Sequence, residues 1–544
     1  MNTRQLQTDK NQKLYHALLG ILLVCALAMM MLLSYWACKY SYYGAVDGRT
    51  RGVLVGDKTW AHIAVFLAAS LCAMGIDKVL MKKDKSQQEK ICLCTLIVTS
   101  VIAFILGVFY VCKNPYYPVG DQINTTAFAA YCRDGNFSML SIGGYVGMYQ
   151  QQKGLAILYE ILFTLFGDFN YRPAKILHVV WWILTILAGY GFLKLNTDRP
   201  VFRMLYCVMM LGCFPLLFYL PYIYGDVLSI SFGIILFYGV AAYEHSGQKR
   251  YIALASFAAG LAVLARKNTW VVLVAVAVYV LLVSLRKKKV RYLMAGTAIL
   301  LTAALSVKAV DVIYEVRSGY PSGVGIPSIL WVAMGLQETE GRAGVYNRYQ
   351  QATFTDYDCQ QELAAQQGKE YIRERLEEFS QDPGMAFNFF KNKVEGQWIE
   401  PMYAALESTE SFEEGAELSP VLESLYYGEL GRTIWKLTNY YQSILYLAGL
   451  MALVMLGILW WKKKEVPISL WLPWIAVFGG FLFSILWEAK SRYVFPYCVF
   501  MILYAPEGLY QTGLLLCKLP KLRKFKKSGH TQDKGEEAPL RETA

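Results

Sequence analysis

Eight ionisable residues stand at or near the ends of apolar runs, where they could act together. A charged side chain at membrane depth is costly, so each such residue is a functional hypothesis. Cations among them could hold a phosphate and neutralise it as it leaves. A carboxylate could take the proton from an incoming hydroxyl. The combination suits group transfer from a phosphate-bearing lipid, and its members are Asp121, Lys153, Asp226, Arg266, Lys267, Glu488, Lys490 and Arg492.

Each of these residues also has a purely structural interpretation. Asp121 and Asp226 could cap helices, and Arg492 could reach from an apolar stem to the membrane surface. No single position decides between the two interpretations. Their location relative to the membrane is more informative, and it depends on how the chain crosses the bilayer.

The composition indicates an integral membrane protein. Of the 544 residues, 56% are hydrophobic and only 17% are charged, whereas soluble domains carry about 25% charge. These proportions exclude a disordered chain, a coiled coil and a nucleic-acid-binding protein as whole-chain interpretations. The formal charge is +12, and the basic residues stand between apolar runs. The 12 Cys and 5 His form no metal-ligand motif, so no metal site is predicted.

Twelve apolar runs predict transmembrane helices, each of which needs about 20 residues. Their ranges are 15–37, 59–80, 91–111, 174–195, 203–222, 227–243, 251–265, 269–285, 293–310, 433–460, 466–487 and 493–516. The Lys- and Arg-rich loops, such as 82–85 and 286–291, all fall on one side when the N-terminus is cytoplasmic. The sequence therefore predicts an all-α, multi-pass protein with both termini in the cytoplasm.

Two long segments are predicted to lie on the opposite, extracytoplasmic side. Residues 112–173 contain Gly154–Gly167, an apolar stretch that we interpret as an interfacial helix, with a short true span as the alternative. Residues 311–432 form a large outer loop, in which Gln360–Phe379 has helical periodicity. The stretch Glu407–Glu417 is predicted to be a solvated acidic face.

These boundaries divide the chain into five parts. Two additional transmembrane helices occupy residues 1–90, a core occupies 91–310, and the extracytoplasmic loop domain occupies 311–432. The C-terminal transmembrane helices follow at 433–517, and a basic, disordered cytoplasmic tail at 518–544. No repeat of fixed period is present, which argues against a transporter built from inverted repeats.

The order of several short motifs resembles that of the GT-C glycosyltransferases. The similarity covers roughly 91–310 and 433–510, and it points to the protein O-mannosyltransferases and lipid A aminoarabinose transferases (glycosyltransferase family 39). The matching stretches are Pro118–Gln122, Lys153–Ala156, Phe166–Gly167, Arg172–Lys175, Tyr224–Asp226, Gly260–Asn268 and Ser491–Pro496. The resemblance implies a GT-C-type bundle with interfacial helices in the first core outer loop, in a bacterial plasma membrane.

The resemblance also implies an activity and individual roles. Such enzymes transfer a sugar from a polyprenyl-phosphate carrier to an acceptor hydroxyl on the extracytoplasmic face. It implies that Asp121 is the general base and that Asp226 is a supporting site residue. The cations assigned to the donor phosphate are Lys153, Arg266, Lys267 and Arg492, and the further residues expected to line the site are Gln122, Glu400, Glu488 and Tyr493.

Departures from the family pattern concern the acceptor more than the fold. Gln122 stands where members often have a second acidic residue, and Gly154 follows Lys153 where Pro is usual. The loop 311–432 does not resemble the MIR domain of eukaryotic mannosyltransferases. The acceptor therefore stays open between a protein, a wall polymer and a glycolipid, and the use of a divalent metal also stays open.

Two other functions remain as alternatives. An outer-leaflet polysaccharide polymerase or ligase would use pyrophosphate-linked oligosaccharides and would depend on Arg266 and Arg492 rather than on Asp121. A transporter or flippase for lipid-linked sugars would need charges near the bilayer midplane, whereas these charges stand mainly at helix ends. The expected partners are a polyprenyl-phosphate-sugar donor, the acceptor and membrane lipids, and no nucleic acid.

Overall fold

The chain folds almost entirely into α-helices. The computed structural model describes residues 3–43, 53–464 and 466–529, with side chains described between residues 11 and 518 of those ranges. The predicted tail 518–544 starts as a continuation of the last helix, which ends at Gly529. The rest of that tail lies outside the described residues.

The first third of the chain contains three long helices followed by three shorter ones. In chain order the elements are α1 (Thr3–Lys39), β1 (Tyr40–Tyr43), β2 (Val53–Gly56), α2 (Thr59–Leu80), α3 (Lys85–Lys113), α4 (Asp121–Arg133), α5 (Tyr145–Met148) and α6 (Lys153–Phe166). Strands β1 and β2 pair antiparallel, with Tyr40 opposite Gly56. Helix α3 starts where it does because the Asp84 side chain accepts the N–H of Gln87 at 2.8 Å, a typical N-cap.

The middle of the chain holds the centre of the bundle. Its helices are α7 (Arg172–Asn196), α8 (Pro200–Gly212), α9 (Phe214–Phe218), α10 (Asp226–Ser246), α11 (Lys249–Ala265), α12 (Trp270–Lys287) and α13 (Val290–Ser318). Helix α10 is the most deeply buried of those long enough to span a membrane, with 89% of its most apolar stretch inside the protein. It packs against α7 and α11.

The large loop between α13 and the C-terminal helices is itself mostly helical. It contains α14 (Ser328–Gly335), β3 (Glu338–Thr339), β4 (Arg342–Ala343), α15 (Tyr349–Asp356), α16 (Gln361–Gln381), α17 (Pro383–Trp398), α18 (Ala405–Ser408) and α19 (Pro420–Tyr427). The helix predicted over Gln360–Phe379 is confirmed as α16. The predicted solvated face at Glu407–Glu417 is wrong at its start, because Glu407 is half-buried while Glu413 and Glu414 are exposed.

The C-terminal part completes the bundle with four helices. They are α20 (Glu429–Trp461), α21 (Leu472–Leu486), α22 (Ser491–Met501) and α23 (Ala505–Gly529). Helix α20 packs against α1 and α23, so the first and last helices of the chain share a neighbour.

Nine helices in the part of the chain that the structure describes are long and apolar enough to cross a membrane. They are α1, α2, α3, α7, α10, α12, α13, α20 and α21, where α12 and α21 each include the short 3-10 turn before them. The protein is therefore an all-helical, multi-pass membrane protein. The predicted number of twelve continuous spans is not reached.

The three remaining predicted spans are broken or short for local reasons. The run 203–222 splits into α8 and α9, because Pro215 has no N–H to donate and its ring clashes with the preceding turn. The run 251–265 is α11, a helix of 17 residues, which is shorter than the roughly 20 residues that cross a bilayer core. The run 493–516 is divided between α22 and α23.

Contacts between helix ends define two ends of the bundle. Asp226 at the start of α10 pairs with Arg266, which directly follows α11, so these two consecutive helices are antiparallel. At the opposite end, Glu244 of α10 pairs with Lys287 of α12 at 2.8 Å and accepts the N–H of Ser469 at 2.8 Å. We call these the Asp226 end and the Glu244 end.

Candidate active site

Asp226 is the buried centre of a cluster of charges. Its side chain is 2% exposed and pairs with the Arg266 guanidinium. The Nε atom of Arg492 lies 3.9 Å from the same carboxylate oxygen, Oδ1. The other oxygen, Oδ2, has no hydrogen-bond partner among the described residues. Two guanidinium groups around one carboxylate leave the cluster with a net positive charge.

Gly225 allows the two helix ends to meet. A Cβ atom at this position would overlap the carbonyl oxygen of Ala265, so the chain after α11 can approach the start of α10 only because no side chain intervenes. This close approach places Arg266 beside Asp226. The absence of a side chain at Gly225 therefore permits the ion pair between Arg266 and Asp226.

Tyrosine rings enclose the two guanidinium groups. The Cζ atom of Arg266 lies 5.3 Å from the ring centroids of both Tyr224 and Tyr493. The Cζ atom of Arg492 lies 5.4 Å from the same two rings, and its Nη1 donates to the Tyr222 hydroxyl. Such cation–π contacts strengthen when water is excluded, so the rings hold both cations in fixed positions.

Asp121 is an exposed carboxylate at the start of α4, connected to the cluster by hydrogen bonds. The Tyr145 hydroxyl donates to Asp121 Oδ1 at 2.8 Å. The Gln152 amide nitrogen lies 3.4 Å from that hydroxyl and donates to the Tyr224 hydroxyl at 2.6 Å. Because the Tyr224 ring also contacts both arginines, Asp121 and the Asp226 cluster belong to one network.

Glu488 is a second acid close to Asp121. It is 6% exposed and accepts a hydrogen bond of 3.4 Å from the Tyr493 hydroxyl. Burial raises the pKa of Glu488 to about 7, against the opposing charge of Lys490, and the Asp121 carboxylate raises it further. The two acids therefore influence each other electrostatically, although Glu488 is buried and Asp121 is exposed.

Lys153 and Lys267 lie in a groove apart from the two arginines. Lys153 is buried, pairs with Asp311 at 2.5 Å and donates to the Ser322 hydroxyl at 2.9 Å. Lys267 lines the same groove, is exposed, and has no hydrogen bond or ion pair with any described residue. The four cations assigned to a donor phosphate thus form two pairs.

The groove is bounded by helices of the bundle. It encloses about 330 Å³ and is lined from α6, α11, α12 and α13 and from the loop that follows α13. Apolar side chains such as Leu264, Trp270 and Val307 form part of its wall. An amphipathic molecule with an anionic head could place its head at Lys267 and its apolar part along these helices.

Gln122 and Glu400 lie in different surroundings from the acids of the cluster. The buried Gln122 side chain accepts the Tyr116 hydroxyl at 2.6 Å and contributes to packing of the loop before α4. Glu400 is buried just after α17 and accepts the N–H of Met402 at 2.8 Å. Burial raises the pKa of Glu400, and the neighbouring Glu407 adds to the effect.

Sequence reasoning missed the residues that connect the charges. Tyr145 and Gln152 link Asp121 to Tyr224, and Asp311 neutralises Lys153. Gln152 directly precedes Lys153, and Tyr224 stands two residues before Asp226. Their closeness to these charged residues in the sequence could have indicated that they belong to the site. Asp311 lies in the C-terminal third of α13, and none of the motifs quoted above contains it.

The described residues contain no metal site, and the comparisons with known proteins find no match. Among the described residues, no group of three or more His, Cys, Asp and Glu could hold a metal ion. No family model, no curated protein and no solved structure matches the chain. The resemblance to GT-C enzymes rests on the residues quoted above, and the function must be inferred from the site itself.

Proposed function

We propose that the protein is a membrane glycosyltransferase that moves a sugar from a polyprenyl-phosphate donor to an acceptor hydroxyl. The observation that carries the proposal is the groove between helices, where Lys267 has no partner among the described residues. A free ammonium beside apolar helix walls suits a lipid phosphate. The exposed Asp121 carboxylate lies in the adjoining network.

The proposal includes an orientation in the membrane. Lys- and Arg-rich loops follow α2 at 82–85, α12 at 287–289 and α20 at 462–464, all at the Glu244 end. Because cytoplasmic loops carry an excess of Lys and Arg, we assign the Glu244 end to the cytoplasm. The Asp226 end and the loop 311–432 then face the extracytoplasmic side of a bacterial plasma membrane.

In this proposal the donor lies in the groove with its phosphate at Lys267. Lys153 contributes a second positive charge, which Asp311 partly neutralises. Arg266 and Arg492 add positive potential from behind the tyrosine rings. As the sugar–phosphate bond breaks, charge develops on the phosphate, and fixed cations stabilise that charge more than they stabilise the intact donor.

The transfer is a single displacement at C1 of the sugar. The acceptor oxygen forms a bond to C1 while the bond from C1 to the phosphate oxygen breaks, and polyprenyl phosphate leaves with the bonding pair. The acceptor's proton goes to the Asp121 carboxylate. Asp226 is unsuited to this role because two guanidinium groups hold its charge, so it acts as a positioning residue.

The decisive experiment compares the wild-type protein with Asp121→Asn. A panel of polyprenyl-phosphate sugars is offered with a cell-envelope extract, and released polyprenyl phosphate is followed by mass spectrometry. Loss of a general base lowers the turnover by about 10²–10⁴-fold. Asp168→Asn is the matched control, since Asp168 is paired with Arg133 away from the cluster. Undiminished turnover by Asp121→Asn would sink the assignment of the base.

A polysaccharide polymerase or ligase is the second candidate. It is favoured by one observation, the convergence of Arg266 and Arg492 on Asp226. Such an enzyme would consume pyrophosphate-linked oligosaccharides rather than monophosphate sugars. It would lose activity in Arg492→Gln but keep it in Asp121→Asn, the variant in which the transferase is expected to lose turnover.

A further inference from the structure

A second cavity adjoins the charged cluster and shares no lining residue with the groove. It encloses about 670 Å³ and reaches the cluster through Lys490 and Ser491, which directly precede Arg492. Its walls come from the β1–β2 hairpin, the β3–β4 turn, α17 and the segment from Glu400 to Glu407. We call it the loop cavity. Its volume lies within the range of about 300–1,000 Å³ that small-molecule sites occupy.

Two charged groups of the loop cavity have hydrogen-bonding capacity that no described residue uses. Glu395 is 3% exposed, and its Oε1 atom forms an ion pair with Lys391 at 3.6 Å but accepts no hydrogen bond from the described residues. The Lys490 ammonium forms no hydrogen bond or ion pair with any described residue. Buried polar groups are almost always hydrogen-bonded, so a ligand that supplies the missing partners fits this cavity.

The charges of the loop cavity largely cancel. Its lining includes the acids Glu340, Glu395, Glu400 and Glu407 and the bases Arg342, Lys393 and Lys490. Burial raises the pKa of Glu395, Glu400 and Glu407, and it lowers the pKa of Lys393 to about 7. With four acids against three bases, the cavity offers many hydrogen-bond donors and acceptors with little net charge.

A ligand rich in hydroxyl groups matches this chemistry. A hydroxyl both donates and accepts hydrogen bonds, so it can satisfy Glu395 and Lys490 alike. A strongly anionic ligand would meet Glu340, and a strongly cationic one would meet Arg342 and Lys490. Tyr42 and Asn392 also line the cavity. Their side chains are polar but uncharged, so they favour neither anions nor cations.

We propose that the loop cavity binds an uncharged, hydroxyl-rich saccharide, which is the acceptor of the transfer. One hydroxyl, at the end of the cavity near Lys490 and Ser491, is presented to the Asp121 and Glu488 environment. This inference rests on the proposed glycosyltransferase function, because it assigns the acceptor of that same reaction. Binding itself is independent of turnover and can be measured alone.

Gly396 gives a sharp test. It lies in α17, lines the cavity, and a Cβ atom built there meets no atom within 4 Å. Gly396→Trp is expected to fill the cavity without a backbone clash, and Gly396→Ala is the matched control. Binding to the full-length protein in lipid nanodiscs is measured by saturation-transfer NMR. The ligands are neutral oligosaccharides, charged oligosaccharides that contain uronic acids or amino sugars, and a Ser- and Thr-rich peptide.

The proposal expects saturable binding of a neutral oligosaccharide by wild type and Gly396→Ala, reduced at least tenfold in Gly396→Trp. Equal binding by Gly396→Trp overturns it, and so does a lack of binding by every neutral oligosaccharide. Preferential binding of the charged sugars or of the peptide overturns the assigned ligand class. Donor-lipid binding, followed in parallel, should be the same in all three proteins. If the wild-type protein did not bind the donor lipid, the proposed donor site would be refuted. Saccharide binding is measured independently, so its result would still decide the proposal for the loop cavity.

Discussion

Two lysines share the groove, but their surroundings differ enough to separate their roles. Lys153 is buried and held by Asp311 and Ser322, whereas Lys267 is exposed and has no described partner. A cation that already has a counter-charge contributes mainly to the fold. A cation without one is available to a ligand.

Lys267→Met should therefore weaken donor binding without destabilising the protein. A hydrogen bond to a charged group contributes about 1.5–3 kcal/mol, so we expect the KM for the lipid donor to rise at least tenfold. The melting temperature in detergent should stay unchanged. Lys249→Met, at the exposed Glu244 end of α11, is the matched control. An unchanged KM would remove Lys267 from the phosphate site.

Glu488 is expected to make stability depend on pH. Its pKa is raised from 4.5 to about 7 in the folded protein, so between those pH values the unfolded chain is ionised there while the folded one keeps the proton. The free energy of unfolding therefore falls as pH rises through this window. Glu488→Gln cannot titrate, so its stability relative to wild type should increase from pH 4.5 to pH 7.

Chemical unfolding of both proteins in the same detergent measures this difference. Contributions from Glu400 and other acids are common to both proteins and cancel. A constant difference between wild type and Glu488→Gln across the window would contradict the assigned protonation of Glu488.

At the scale of elements, the contact of α10 with the end of α11 depends on the absence of one side chain. Gly225→Ala should push Ala265 and Arg266 away from the start of α10, because the added methyl overlaps a backbone carbonyl. Overpacking of this kind costs about 1–3 kcal/mol, and separation of Arg266 from Asp226 should lower the turnover as well. Thermal unfolding and donor turnover are measured together.

Gly75→Ala provides the comparison for that substitution. Gly75 lies within α2, and a Cβ atom there meets nothing within 4 Å. Alanine favours a helix over glycine by about 1 kcal/mol, so this variant should be as stable as wild type or more so. If Gly225→Ala behaved like Gly75→Ala, the close approach would have no bearing on the site.

The elements also show what apolar patterns can and cannot predict. Nine of the twelve predicted runs correspond to helices that are long and apolar enough to cross a membrane, because length and apolarity can be obtained directly from the sequence. Prolines in the sequence mark the breaks at Pro215 and between α22 and α23. A hydropathy average over about 20 residues does not detect them. Such patterns do not predict the partner of each charged side chain: Lys153 pairs with Asp311, and Arg266 pairs with Asp226.

The same limit applies to the candidate site. Its ionisable members could be selected from the sequence because charge is costly next to apolar runs. Their partners could not, since Asp226 and Arg492 are 266 positions apart in the printed sequence, and only packing brings them within 3.9 Å. Tyr145 and Gln152 carry no charge and resemble any other polar loop residue.

At the scale of the whole molecule, the proposed orientation can be tested with an impermeant maleimide on intact cells. Glu414→Cys places an exposed thiol in the large loop, and Lys83→Cys places one in the loop after α2. Labelling above the wild-type level is expected for Glu414→Cys only, and for both variants once the cells are permeabilised. Labelling of Lys83→Cys alone would invert the membrane topology and put the site in the cytoplasm.

The burial of α10 has a consequence for how the protein is made. Its most apolar stretch has the lowest mean hydropathy of the nine, 1.7, yet 89% of that stretch is enclosed by protein. Its partners α7 and α11 emerge from the ribosome near it, but α22, which also packs against it, is synthesised some 245 residues after α10 ends. Until then a face of α10 is in contact with lipid or a chaperone. A truncated chain lacking α22 should therefore be a preferred substrate of membrane quality control.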